Sequence, residues 1–445
     1  MTPAPAALST RPRLRLTTLC ALYTAQGIPW GFITITLAAF LADQGLETAQ
    51  VGDLLAFSTL PWAFKWIWGP LIDRFCFPSI GKRRPWIVGA QAMMGITVLS
   101  MILIEDLTKG VDTLIWMVFV HNCFNSLQDV ATDALAVEIL DDDEKGKANG
   151  YMWASKYLGI AIGGAGMGTV LAQAGLQAAL LLQVAMIGLI MLFPLLIRER
   201  PEDNLWRFTS AKENRRDEGA EEKTSTRELL RNLKKAFSIK STLAGAGFAL
   251  VGLSVPNIFM TVAPVMFTNE LGWTPEKYAQ ISGGPVIIAG LVGAVIGGIM
   301  VDRFGKKLMI AVGTLAVAGL LALFGGLSSL WESDTFVIGW MVIYTGLNAL
   351  VQVGLFALFM NLSWSKVAAT QFTTYMTFLN ISMTFGQKLA GPIDEALSYP
   401  SLFLAVSIMH AATLIFLPAI KPEECTKFFS EAEDTGREMA KAPIS

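Results

Sequence analysis

The sequence is short of charge, of histidine and of paired cysteine, and each shortage removes a class of protein. Asp, Glu, Lys and Arg make up 16% of the 445 residues, against roughly 25% in an average chain. The two histidines, His121 and His410, stand far apart. The four cysteines, Cys20, Cys76, Cys123 and Cys425, are scattered singly without a C-x-x-C pair. That pattern supports neither a disulfide framework nor a zinc site, so no metal and no cofactor is expected and the cysteines read as small packing residues. The sequence has no Walker-type phosphate loop, no H-E-x-x-H helix and no Ser-His pairing in its apolar runs, which argues against direct use of ATP and against an enzyme. A net charge of −2 with no basic domain gives no footing for a nucleic-acid partner. No cleavable signal peptide is read at the start, because the first apolar run continues without an A-x-A site.

What the chain has in abundance is apolar surface. Hydrophobic residues are 53% of the sequence, and they come in runs of about twenty, the length a helix needs to cross roughly 30 Å of hydrocarbon. The reading is an all-α polytopic membrane protein of twelve transmembrane helices in two six-helix bundles. A tail occupies 1–16, the first bundle 17–197, a charged linker 198–240, the second bundle 241–420 and a second tail 421–445. The linker reads as solvated, with an amphipathic helix near Arg227–Phe237. Lys and Arg set the orientation. With both termini and the linker on one side, that side holds 29 of the 34 cations and the other only Lys109 and Lys277. The positive-inside rule then makes the termini cytoplasmic.

Two stretches repeat at a distance of 229 positions, close to half the chain: GPLIDRFCFPSIGKRR at 69–84 and GGIMVDRFGKK at 297–307. Both fall on cytoplasmic turns, after the second and the eighth span, so the two bundles are expected to be pseudo-symmetric. A carboxylate at a helix end can meet a neighbouring helix N-terminus and a nearby Arg, a contact that breaks when the bundles rock. Asp73, Arg74, Arg83, Asp302 and Arg303 are therefore the candidates for gating.

Charge inside the spans points to a site. The fourth span carries Asp129 and Asp133, four apart and so on one helix face, with Asn122, Asn125 and Ser126 nearby. An unpaired carboxylate in hydrocarbon costs roughly 3 kcal/mol even on a lenient scale. Lys156, on the fifth span at a depth matching Asp133, is expected to pair with it. Asp129 is then left nearer the midplane, as the residue that takes up and releases a proton. Glu138 reads as a turn residue. Lys65 is expected to reach back to the cytoplasmic interface, while Lys388 suits either the far interface or the pore. QGIPWGF on the first span is expected to interrupt its helix and to bring Gln26 to a cavity. Asn257 beside Pro256 does the same on the seventh span, and Asn348 and Gln352 share a face of the tenth. GIAIGGAGMG reads as close helix packing.

Three segments carry a family resemblance: FKWIWGPLIDRFCFPSIGKRRPWIVGAQ (64–91), SLQDVATDALAVEIL (126–140) and VAATQFTTYMTF (367–378). They resemble the AmpG-like branch of the major facilitator superfamily, which holds muropeptide permeases, siderophore permeases and acetyl-coenzyme A transporters. The matched polar positions are Lys65, Asp73, Arg74, Gln128, Asp129, Asp133 and Gln371, with Gln128 joining Gln26 and Asn125 as cavity residues. The resemblance implies a monomeric secondary transporter in a bacterial inner membrane, taking up a small-molecule substrate with protons. Muropeptides are the first expectation and a siderophore the second. The phosphates of an acyl-coenzyme A call for more cations than Lys65 and Lys156. A membrane sensor without transport activity is the alternative from another class, and no appended soluble domain supports it.

Overall fold

The computed structural model describes residues 7–75, 77, 79–104, 106–107, 109–205, 226–364, 367–425 and 427–428. Cys76, Lys366, most of the charged linker and the end of the C-terminal tail lie outside them. The described chain is all-α. Its first part is α1 (Pro12–Gly31), α2 (Ala38–Asp43), α3 (Thr48–Ala63), α4 (Trp68–Arg74), α5 (Arg84–Ser100), α6 (Val111–Ile139), α7 (Asp142–Ala161) and α8 (Met167–Leu196). There follow α9 (Thr226–Ala236), α10 (Lys240–Gly252), α11 (Ser254–Asn269), α12 (Pro275–Gly283), α13 (Pro285–Phe304), α14 (Lys306–Gly326), α15 (Asp334–Leu362), α16 (Ala368–Ala396) and α17 (Tyr399–Ala412). The linker helix α9 lies where the amphipathic pattern predicts it.

Eight helical runs among the described residues are long and apolar enough to cross a membrane. One of them, Lys147–Leu196, is two spans, divided at Gly175, whose φ of 81° is open to glycine at little cost. Three further helices complete the twelve. The first, α3, is only 16 residues long and continues through a 3-10 turn, Lys65–Ile67, into α4. The others, α6 and α16, are long enough but carry the amides and charges of the polar face. Large apolar side chains that face outward, such as Leu103 at 79% and Ile415 at 77% exposure, suit hydrocarbon rather than water.

The residues form two compact units. The first is Met1–Arg216 with Ile258–Ile288 and Gln387–Ala396, the second Asp217–Asn257 with Ala289–Gly386 and Leu397–Ser445. In the first, Phe32, Leu54, Leu114 and Val118 centre one core, while Leu22, Ile87, Ala131 and Leu135 centre another. In the second, Phe248, Leu355, Phe359 and Tyr375 are packed together.

Glycines allow α1 to touch α7 and the π turn that follows it, Ile162–Gly166, backbone to backbone. A Cβ on Gly27 would lie 2.2 Å from the Lys156 carbonyl, and one on Gly163 would lie 2.0 Å from that of Ile28. The glycines of QGIPWGF therefore serve packing, not interruption: α1 stays helical through Pro29 and changes only to a π turn over Phe32–Leu37. Proline cannot donate its backbone hydrogen bond, and a π turn absorbs the defect without breaking the helix.

Candidate functional site

The first unit gathers its charges where α1, α6, α7 and the turn after α3 meet. Asp129 is buried and has both oxygens claimed. Lys65 Nζ lies 3.3 Å from Oδ2 and Lys156 Nζ lies 3.7 Å from Oδ1. Asp133, one turn along α6, accepts instead from the Tyr23 hydroxyl. The expected Lys156–Asp133 pair is thus replaced by a Lys156–Asp129 pair. Four residues of helix are about 6 Å, within the reach of a lysine arm, and Tyr23 of α1 already occupies Asp133. Lys65 likewise turns inward to Asp129 rather than out to the interface.

An aromatic wall, not anticipated from the sequence, surrounds the Lys156 ammonium. It stands 4.6 Å from the Trp62 ring centre, 5.1 Å from Trp153 and 5.8 Å from Tyr23. Trp30 packs edge-on against Trp62, 5.7 Å between centroids. Cations and aromatic faces attract more strongly when desolvated, so the wall helps hold a charge at membrane depth. The signal available in the sequence was the repeated Trp and Tyr within reach of one lysine, a weak one in a chain with twelve tryptophans.

The predicted amides divide between the units. In the first, Gln26 lies one turn from Tyr23 on α1, and Asn125 one turn from Asp129 on α6. Both amide ends of each are buried without a protein partner. Gln128 donates to the Leu22 carbonyl at 3.2 Å and leaves its own oxygen unpaired. Buried amides in this state are uncommon. In the second unit Asn257 donates to the Leu253 carbonyl at 2.8 Å and Asn348 to that of Tyr344 at 3.0 Å, each within its own helix region. Gln352 is partly exposed one turn beyond Asn348. Lys388 pairs with Asp53, both half-exposed, within the first unit.

The first Asp-Arg turn is closed by ion pairs, but not through the arginine beside the aspartate. Arg83 reaches Asp73 at 2.7 Å and Glu138 at 2.7 and 2.9 Å, and Lys82 adds a contact to Glu138 at 3.3 Å. Glu138, expected as a turn residue, is therefore the hub of these contacts, while Arg74 lies over the Phe75 ring. In the second unit Arg303 lies over Phe304 in the same manner. Among the described residues no ion pair joins Asp302 or Arg303.

The latch has a support that nothing in the sequence announced. Glu199, at the start of the linker, accepts from the backbone N–H groups of Lys82 at 2.8 Å, Arg83 at 2.7 Å and Arg84. Burial raises its carboxyl above the ordinary glutamate range against the downward pull of those donors. The Arg84 guanidinium is spent on carbonyls, among them Ile80 at 3.0 Å, Leu195 at 2.8 Å and Leu205 at 3.0 Å. Residues 198–205 are thus pinned to this face, with Leu8 and Ser9 bonded to Arg198 and Glu199, where a solvated linker was expected.

Residues 19–387 match the family model of the Major Facilitator Superfamily. The anhydromuropeptide permease of Escherichia coli (strain K12) is 23% identical over 394 residues, covering 87% of this chain and 75% of that one. A putative transporter of Rickettsia conorii, AmpG 4, is 24% identical over 416 residues, covering 91% and 95%. Among solved structures, the nucleoside transporter NupG superposes with a TM-score of 0.65 at 13% identity, over 91% of this chain and all of that one. A bacterial homolog of the human lysosomal transporter Spinster gives 0.65 at 15%, over 96% and 98%. These two share the fold. With its twelve helical spans, its latch turn and its buried charge cluster, the chain belongs to the Major Facilitator Superfamily, in the AmpG-like branch, and is a multi-pass membrane transporter of a small molecule.

Proposed function

We propose that the chain takes up muropeptides, or a similar sugar-peptide from the cell wall, by proton-coupled alternating access across a bacterial inner membrane. It works as a monomer with both termini cytoplasmic. The observation that carries the coupling is the unequal company of the two carboxylates. Both oxygens of Asp129 face ammonium groups, so protonating it would break two ion pairs. Asp133 has a neutral phenol for a partner, and loading a proton there breaks none. The roles expected of the two residues are therefore exchanged: Asp133 carries the proton and Asp129 anchors the lysines.

The cargo reading is supported by the kind of side chain around the cluster. Aromatic faces at Trp30, Trp62 and Trp153 suit the apolar face of a sugar ring. The unpaired amides of Gln26, Asn125 and Gln128 suit hydroxyl and peptide groups. The similarity to an anhydromuropeptide permease points the same way. The test is uptake of labelled anhydromuropeptide into proteoliposomes under an imposed pH gradient, acidic outside. Accumulation that collapses with a protonophore is expected. Accumulation indifferent to the gradient removes the coupling, and uptake of a siderophore in place of the muropeptide removes the cargo.

A further inference from the structure

A second group of buried polar side chains lies in the first unit, apart from the charge cluster. Gln91 of α5, His121 of α6 and Gln183 of α8 are each at 1% exposure or less. His121 stands eight residues from Asp129, which is about 12 Å along α6 and about 80° around it. Apolar layers close this region at both ends. Val98, Val118 and Leu180 belong to one core of the unit, and Ile87 and Leu127, with Ile190 against them, to the other. Bulk water is shut out of the space between.

The three side chains sit at one depth. Arg84, which opens α5, donates to the Pro194 and Leu195 carbonyls near the end of α8, so the two helices run antiparallel. Counting eleven residues in from Arg84 and from Pro194 brings Gly95 level with Gln183, between Met94 and Thr97. His121 is held at that same level. Its Nδ1 lies 3.3 Å from the Met94 carbonyl and 3.0 Å from the Thr97 hydroxyl. That hydroxyl already donates to carbonyls of its own helix, Met93 at 2.8 Å and Met94 at 2.9 Å. Both groups facing Nδ1 therefore accept, so Nδ1 carries the ring proton and Nε2 is a bare acceptor.

Nε2 has no hydrogen-bond partner in the protein. Neither has Oε1 of Gln183, nor either end of the Gln91 amide, one turn from Met94. Two acceptors cannot satisfy each other. The smallest group that can satisfy both carries two donors, and internal water, with about three bonds to otherwise unpaired groups, is that group. We infer that a water molecule is bound between α5, α6 and α8, donating to His121 Nε2 and to Gln183 Oε1 and accepting from the Gln91 amide. It ties α8 to the pair of α5 and α6 and fixes His121 as one neutral tautomer. The site does not depend on which carboxylate carries a proton or on what the cargo is.

The test is solid-state NMR of the full chain in bilayers with isotope-labelled histidine. The chain has only His121 and His410, so His410→Gln assigns the signals. His121 Nε2 should be unprotonated and should receive magnetisation from water. Gln183→Leu leaves the water two of its ligands and should weaken that transfer, and adding Gln91→Leu leaves the imidazole alone and should abolish it. A protonated Nε2, or no transfer from water in the unaltered chain, overturns the site, and this reading stands even where the double variant fails to fold. Transfer undiminished in a folded double variant overturns it too. So does an Nε2 that is hydrogen-bonded without any transfer from water and becomes free in Gln183→Leu, which would mean that the Gln183 amide, turned about, donates to it directly.

Discussion

The two units hold polar side chains at membrane depth in different ways. In the first, charge answers charge: Lys65 and Lys156 converge on Asp129 from different helices, and Tyr23 from a third meets Asp133. In the second, amides answer their own backbone, Asn257 at Leu253 and Asn348 at Tyr344, four residues back along the chain. An amide that donates to its own helix region costs little. A charge cluster is stable only while every member stays in place, and so it can sense a rearrangement. The duplicated Asp-Arg motif records a common plan for the halves, but among the described residues the buried carboxylate paired with two lysines lies in the first.

The sharpest way to break that comparison is to remove one charge at a time. Asp129→Asn takes from the partly exposed Lys65 and the largely enclosed Lys156 the carboxylate they share, a loss of up to about 3–5 kcal/mol, the scale of a broken buried pair. Folded yield should fall severely and should recover when Lys65→Met and Lys156→Met are added. Asp133→Asn removes no ion pair and mimics the protonated form. It should fold normally, fail to accumulate cargo along a pH gradient and still exchange labelled for unlabelled cargo. Concentrative uptake by Asp133→Asn, or a well-folded Asp129→Asn that exchanges but does not accumulate, would return the proton to Asp129.

A smaller effect separates the two latch turns. Arg83→Gln removes charge-assisted bonds to Asp73 and Glu138, each worth about 1.5–3 kcal/mol. It should slow transport by roughly tenfold or more and shift the balance of accessible states, read by cysteine labelling. Arg303→Gln removes a contact with an aromatic ring at an exposed site and should change the rate less than about twofold. Equal effects would make the latch symmetric in function despite its unequal contacts.

Much of this was legible, and what was not has physical reasons. Twelve spans follow from run length, and the shared face of Asp129 and Asp133 follows from a spacing of four. The partner of each lysine did not follow, because one helical turn is about as long as a lysine side chain and both carboxylates were within reach. Tyr23 and the tryptophan wall lacked a pattern that set them apart from other interfacial aromatics. Glu199 and Arg84 were out of view for another reason. Glu199 lies 116 residues from Arg83, inside a stretch whose composition spoke of solvent, and only the folded turn brings three backbone donors to one carboxylate.

The finest difference between the units lies in amides that look alike in sequence. Gln26 is fully buried and neither end of its amide has a protein partner, whereas the Asn348 nitrogen is already bonded within α15. Replacing Gln26 by Leu removes two unsatisfied groups, each of which costs about 1–3 kcal/mol when buried, so the variant should melt no lower than the unaltered chain. If those groups exist to meet cargo, the same variant should raise KM severalfold with kcat for downhill exchange nearly unchanged, because a binding contact is lost and no proton step is touched. Asn348→Leu should do less to KM and cost slightly more in stability, since it removes a bond already made. A Gln26→Leu chain with unchanged KM would mean that the unpaired amide is no part of the cargo path, and that the first unit contributes charge alone.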